Sequence, residues 1–113
     1  MQTGNLGSTG AITFSVEIDN GSSGATDTID WNEGNKQKST LSETCTFTFT
    51  APTSGICTLT LKLINFGAFV PTWPGTVLWS GGTEPTWTVS GTDIVSFYYD
   101  GTSYYGVGSL DFS

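Results

Sequence analysis

Cys57-Thr58-Leu59-Thr60-Leu61-Lys62-Leu63 alternates apolar and polar side chains without a break. Successive side chains of an extended chain point to opposite faces, so Cys57, Leu59, Leu61 and Leu63 share one face while Thr58, Thr60 and Lys62 take the other. The stretch reads as a strand with one side in a core and one in water. Working outward, the same period recurs in Cys45-Thr46-Phe47-Thr48-Phe49 and in Ile12-Thr13-Phe14-Ser15-Val16-Glu17-Ile18. Thr fills the opposite face, where β-branching suits a pleated backbone. Further strands are predicted over residues 26–31, 37–41, 76–79, 87–89, 93–99, 103–107 and 110–112. Helical spacing is absent over any useful length.

Turn chemistry separates these runs: Asn20-Gly21-Ser22-Ser23-Gly24, Asn32-Glu33-Gly34-Asn35, Ala51-Pro52-Thr53-Ser54-Gly55, Ser80-Gly81-Gly82-Thr83 and Asp100-Gly101. Asp100-Gly101, between Phe97-Tyr98-Tyr99 and Tyr104-Tyr105, is the strongest hairpin signal. Many short strands joined by Gly-rich turns predict an all-β fold, a β-sandwich or jelly roll of short antiparallel strands. No internal repeat is visible. The expected organisation is a Gly/Ser/Thr-rich arm and first strand over residues 1–24, with residues 1–10 flexible, and a sandwich module over residues 25–113, in one folded domain that includes strand 12–18.

Three lysines, Lys36, Lys38 and Lys62, face ten carboxylates for a formal charge of −7, which works against nucleic acid or an anionic membrane as partner. No apolar run is long enough to span a bilayer, and the first residues lack the basic and apolar regions of a secretion signal. The initial methionine fits an unprocessed product, and free thiols at Cys45 and Cys57 fit one made in a cytoplasm. A turn at 51–55 joining antiparallel strands would set Cys45 opposite about Leu61 and Cys57 opposite about Phe49. Two buried free thiols are then preferred over a disulfide.

The sequence holds no histidine, so the usual general base and the commonest metal ligand are missing. No G-x-S-x-G elbow is present. Glu17, Glu43 or Glu84 with Asp93 could in composition supply a glycosidase pair, but sequence gives no pairing distance. Asp27, Asp30 and Glu33 match no EF-hand spacing and read as a solvated acidic turn. Asn20-Gly21-Ser22, although it matches a glycosylation acceptor, reads as a turn. No enzyme activity, cofactor or metal is expected. Aromatic residues are the informative excess. Trp73, Trp79, Trp87, Tyr98 and Tyr104 are candidates for an aromatic contact surface or for the core beneath one. Tyr98-Tyr99 and Tyr104-Tyr105 each put one ring on either sheet face, so one of each pair should leave the core.

The stretch 28–38, then Thr46-Phe47-Thr48-Phe49-Thr50-Ala51-Pro52, then Thr72-Trp73-Pro74, Val77-Leu78-Trp79-Ser80-Gly81-Gly82-Thr83-Glu84-Pro85-Thr86 and the run from Thr92 to Gly106 follow one order and spacing. Together they resemble a module recurrent in tail-fibre, head-fibre and decoration proteins of tailed bacteriophages, over about residues 25 to 113. The resemblance implies a virion surface protein that is typically a homotrimer. Only some 24 residues precede the module, leaving no shaft, so a capsid decoration or cement protein is expected before a fibre or spike module that binds a receptor or glycan. Its partners would be its own copies, the major capsid protein or another virion protein, and in the second reading a host-surface glycan. Met1, Gln2, Thr3, Gly4, Asn5 and Leu6 are the expected capsid or oligomer contacts. The acidic balance suits the outside of a shell better than its DNA-facing interior.

Overall fold

The computed structural model describes residues 10–113. Nine strands form among the described residues: β1 (Ile18–Ser22), β2 (Thr26–Asp30), β3 (Lys36–Leu41), β4 (Cys45–Thr50), β5 (Cys57–Asn65), β6 (Pro71–Thr72), β7 (Val77–Trp79), β8 (Thr92–Tyr99) and β9 (Tyr104–Ser109). One short 3-10 turn (Ser80–Gly82) is the sole helical element among the described residues. The all-β class holds. No helix among those residues is long and apolar enough to cross a membrane.

The expected antiparallel jelly roll does not form. The chain winds alternately through two sheets, a six-stranded one ordered β1-β3-β5-β8-β9-β7 and a three-stranded one ordered β2-β4-β6. Each winding lies parallel to the last: Ile18 beside Gln37 and Gln37 beside Leu61 in the larger sheet, Thr26 beside Thr46 and Cys45 beside Pro71 in the smaller. This is a short β-solenoid, and its winding is the repeat that the sequence hides. β8 then runs antiparallel to β5 and ends the parallel stack, with β9 antiparallel to β8 and β7 parallel to β9. Parallel sheets are ordinarily covered on both faces and read as continuous apolar runs. A solenoid leaves its outer face wet, so its parallel strands alternate as antiparallel ones do.

Residues 51–55 are therefore no hairpin but a crossing from the small sheet to the large one. Cys45 pairs with Pro71 and Cys57 with Tyr99, so the two cysteines sit in different sheets, and both are free thiols. Cys45 is buried and Cys57 half-buried; desolvation raises both thiols above their ordinary range. The Asp100 hairpin forms as predicted. Its carboxylate accepts the Ser103 and Thr102 amides at 2.8 and 2.9 Å, which holds its pKa below the usual range, and Gly101 takes a φ of 99° that a side chain would strain. The predicted strands at 87–89 and 110–112 are irregular chain.

Residues 12–17 form no strand either, and Ile12, Phe14 and Val16 are 59%, 49% and 63% exposed. Both sides of β3 are taken, by β1 and β5, and the run 12–17 joins no other ladder among the described residues. It is held from its side chains instead. Glu17 ion-pairs with Lys62 at 3.1 Å, Lys36 Nζ stands 6.0 Å from the Phe14 ring centre, and Ile18 covers Gly34. The flexible-arm expectation falls almost wholly on residues 1–9, outside the described chain.

One core fills the space between the sheets, with Ile29 and Phe47 from the small sheet against Leu41, Leu59, Leu61, Leu63, Val95 and Phe97 from the large one. Its polar defect is informative. Trp31 Nε1 and the Tyr104 hydroxyl are buried without a hydrogen-bond partner among the described residues. Burial is the main force that pushes the Tyr104 phenol up to about 12. Tyr104→Phe removes an unpaired hydroxyl and is expected to stabilise the protein by ~1 kcal/mol. The ordinary phenol ionises near 10, so the unfolded chain loses this proton first as pH rises. Stability from the neutral ring is fully present below pH ~10 and is lost between ~10 and ~12. Urea unfolding at pH 8 and pH 11 checks both effects; the Phe variant should lose less between the two.

Candidate functional site

The aromatic candidates separate into an inner nest and an outer face. Trp73, Trp79 and Trp87 stack mutually with ring centres 5.3 to 5.6 Å apart, in tilted and edge-on arrangements. Trp87 is buried, and Trp73 and Trp79 are half-buried against the core. Their role is packing, with one polar handle. Glu84 Oε2 accepts the Trp87 indole N–H at 2.8 Å and the Trp73 indole N–H at 3.1 Å. Two donors on one oxygen fix an exposed carboxylate in place.

Tyr104, 3% exposed, belongs to the core and cannot be a surface contact; Tyr99 beside it is 6% exposed. Tyr98 and Tyr105 are the rings that leave, at 53% and 46%, so the expectation of one outward ring per pair is met. The four-residue turn 100–103 sets this, since it pairs Tyr99 with Tyr104 and Tyr98 with Tyr105. Tyr105 was legible from the same parity. The Tyr98 and Tyr105 ring centres lie 6.3 Å apart, and the Tyr105 hydroxyl donates to Asp100 Oδ2 at 3.0 Å, which raises its pKa. Leu78 pairs with Tyr105 and Thr58 with Tyr98, so an uncharged strip crosses four strands of the outer face. At the other end of that face lie Lys36, Lys38 and Lys62, with Lys38 paired to Asp19 at 3.6 Å.

The carboxylates do not converge. Glu17 serves Lys62, Glu84 serves two indoles, and Glu43 is exposed. Asp93 is buried and accepts Thr88 N, Thr88 Oγ1 and Asp111 N at 2.8, 2.6 and 2.9 Å. Asp27 accepts the Ser39 hydroxyl at 2.7 Å, with its pKa raised by burial, while Asp30 caps the turn at Asn32. Among the described residues no three His, Cys, Asp or Glu side chains gather as a metal ion would need. Asn20 and Gly21 belong to β1, where the pairing with β3 is bulged and Gly21 has a φ of 71°. Met1, Gln2, Thr3, Gly4, Asn5 and Leu6 lie outside the described residues.

A groove completes the surface. Residues 66–70, after β5, and residues 84–89, after the 3-10 turn, wall a volume of about 500 Å³ with Phe69, Val70, Pro85, Trp87 and Val89, and Glu84 also lines it. Sequence reading missed it because neither wall is regular structure. Buried Asn65 ties them: its side-chain NH2 donates to Phe69 O at 3.0 Å and Thr88 O at 3.4 Å, and its Oδ1 accepts from Gly67 N. Ser90 N donates to Gly67 O across the same gap. No protein-family model, no curated protein and no solved structure matches the chain.

Proposed function

We propose that this protein is a non-enzymatic structural component of a bacteriophage particle, a decoration or cement protein that binds the outer shell and stabilises it. The observation that carries the reading is the run 12–17, which has the alternation of a strand, no strand partner among the described residues, and Ile12, Phe14 and Val16 in water. Such a segment gains its ladder by adding to a sheet edge of another chain. The resemblance of residues 25–113 to phage surface modules supplies the particle, and the formal charge of −7 suits an outer surface. A homotrimer sharing the uncharged Tyr98–Tyr105 strip is the expected assembly.

Deleting residues 1–10 is expected to abolish binding to the particle while the far-ultraviolet spectrum stays unchanged. Unaltered occupancy of purified particles would sink the attachment. Ile12→Ser with Phe14→Ser and Val16→Ser should act likewise, because the three side chains pack against no core.

The exposed Tyr98 and Tyr105 rings, beside the Thr58 and Ser96 hydroxyls, favour one second reading, a glycan platform at a fibre or spike tip. Copy number separates the two. Hundreds of copies per particle belong to decoration, and a handful to a tip.

A further inference from the structure

We infer that the groove between residues 66–70 and 84–89 binds a basic side chain, Arg or Lys, presented by an apolar segment of a different protein. Three features of the groove define the ligand. Its walls are aliphatic and aromatic, with Val70 and Val89 exposed at the rim. Its one charged group is Glu84, which accepts both indole N–H groups on Oε2 and has no ion pair among the described residues. Its shape is set in advance, because Asn65 and Ser90 lock one wall to the other.

A carboxylate accepts and cannot donate, so the ligand must bring the proton donors. A neutral sugar needs several donors and acceptors together, and among the described residues Thr86 is the only other hydroxyl, amide or charged side chain lining the groove. An Arg or Lys side chain matches the lining better. Its methylenes lie along Val70, Pro85 and Val89, and its charged end meets Glu84 in a charge-assisted hydrogen bond. A second copy of this chain does not supply that side chain. Its only basic residues are Lys36, Lys38 and Lys62. Lys38 and Lys62 are ion-paired on the outer sheet face, and Lys36 donates to Thr60 there while standing over Phe14. The occupant assigned is a different protein, which can present an Arg or Lys not already engaged. The inference stands apart from the particle reading, since a failure to bind capsids and a failure to bind a basic peptide are separate results.

The test is a nuclear magnetic resonance titration of the labelled full chain with acetyl-Leu-Arg-Leu-amide, its lysine counterpart, and the neutral citrulline counterpart. Saturable shifts are expected at residues 67–70 and 84–89 and at the Trp87 indole N–H with the Arg or Lys peptide, weakening as salt is added. The citrulline peptide should bind at least ~10-fold more weakly. Glu84→Gln keeps an oxygen for the two indoles and should weaken the Arg peptide by at least ~10-fold, since it removes the charge and replaces the second acceptor oxygen with an NH2 donor. Val89→Lys, at an exposed rim position, should compete from within and abolish binding. Absence of shifts at these residues, equal binding of the citrulline peptide, or the same shifts with a neutral oligosaccharide would overturn the assignment.

Discussion

Replacing Phe97 by alanine lowers stability by ~3–5 kcal/mol, the largest loss expected of any single core truncation here. Phe97 sits at zero exposure on β8, and its ring lies 5.5 to 6.2 Å from those of Phe49, Trp31, Trp73, Trp79 and Tyr104. These come from both sheets and from the loop segments between them, so the ring is where the winding closes on itself. Neighbouring rings cannot collapse into the space without leaving their own edge-to-face contacts, and the cavity persists. Against a total of ~5–15 kcal/mol for a domain of this kind, the variant is left near the threshold of folding. Urea unfolding measures it directly. Phe112→Ala, at a half-exposed ring, should stay within ~0.5 kcal/mol, and equal losses for the two would contradict the placement of the core.

Asp93→Ala should lose ~2–4 kcal/mol for a different reason, since it strands polar donors rather than opening a void. The buried carboxylate holds Thr88 by two bonds and the C-terminal segment through Asp111 N. Without it two amide N–H groups lose their acceptor, the wall of the groove at Thr88 loosens, and the C-terminal segment keeps its Phe112 N–H bond to Thr92 O but loses the one at Asp111. Asp93→Asn keeps one oxygen acceptor and should fall between wild type and Ala. Hydrogen exchange at Thr88 and Asp111 reports the local part, with protection lost first at these two amides. Unchanged protection there would show that Asp93 does not anchor the segment.

Alternation along a strand states which side chains share a face, and that much was legible: Leu59, Leu61 and Leu63 are inward, Thr58, Thr60 and Lys62 outward. It does not state which strand lies alongside. Parallel windings with a wet outer face carry the same period as antiparallel hairpins, so the turn 51–55 looked like a hairpin and was a crossing between sheets. The run 12–18 shows the same gap from the other side, because only its last residue, Ile18, joins a ladder and residues 12–17 find no strand partner among the described residues. The outward Tyr98 and Tyr105 followed from parity once the Asp100 turn was recognised. The groove did not, since it depends on Asn65, a buried amide whose partners are backbone atoms of two distant loops. Nothing in the identity of Phe69 or Thr88 announces that link. Glu84 drew notice only as one of several carboxylates, and its meeting with Trp73 and Trp87 is a product of the fold.

The most direct test of the central claim is cryo-electron microscopy of the intact particle at a resolution that separates strands. The account predicts this fold, a short solenoid closed by β8 and β9, repeated across the outer shell, with residues 12–17 added to an edge of a neighbouring chain. Density confined to the tail or a spike, or shell density with residues 12–17 pointing away into solvent, would contradict it.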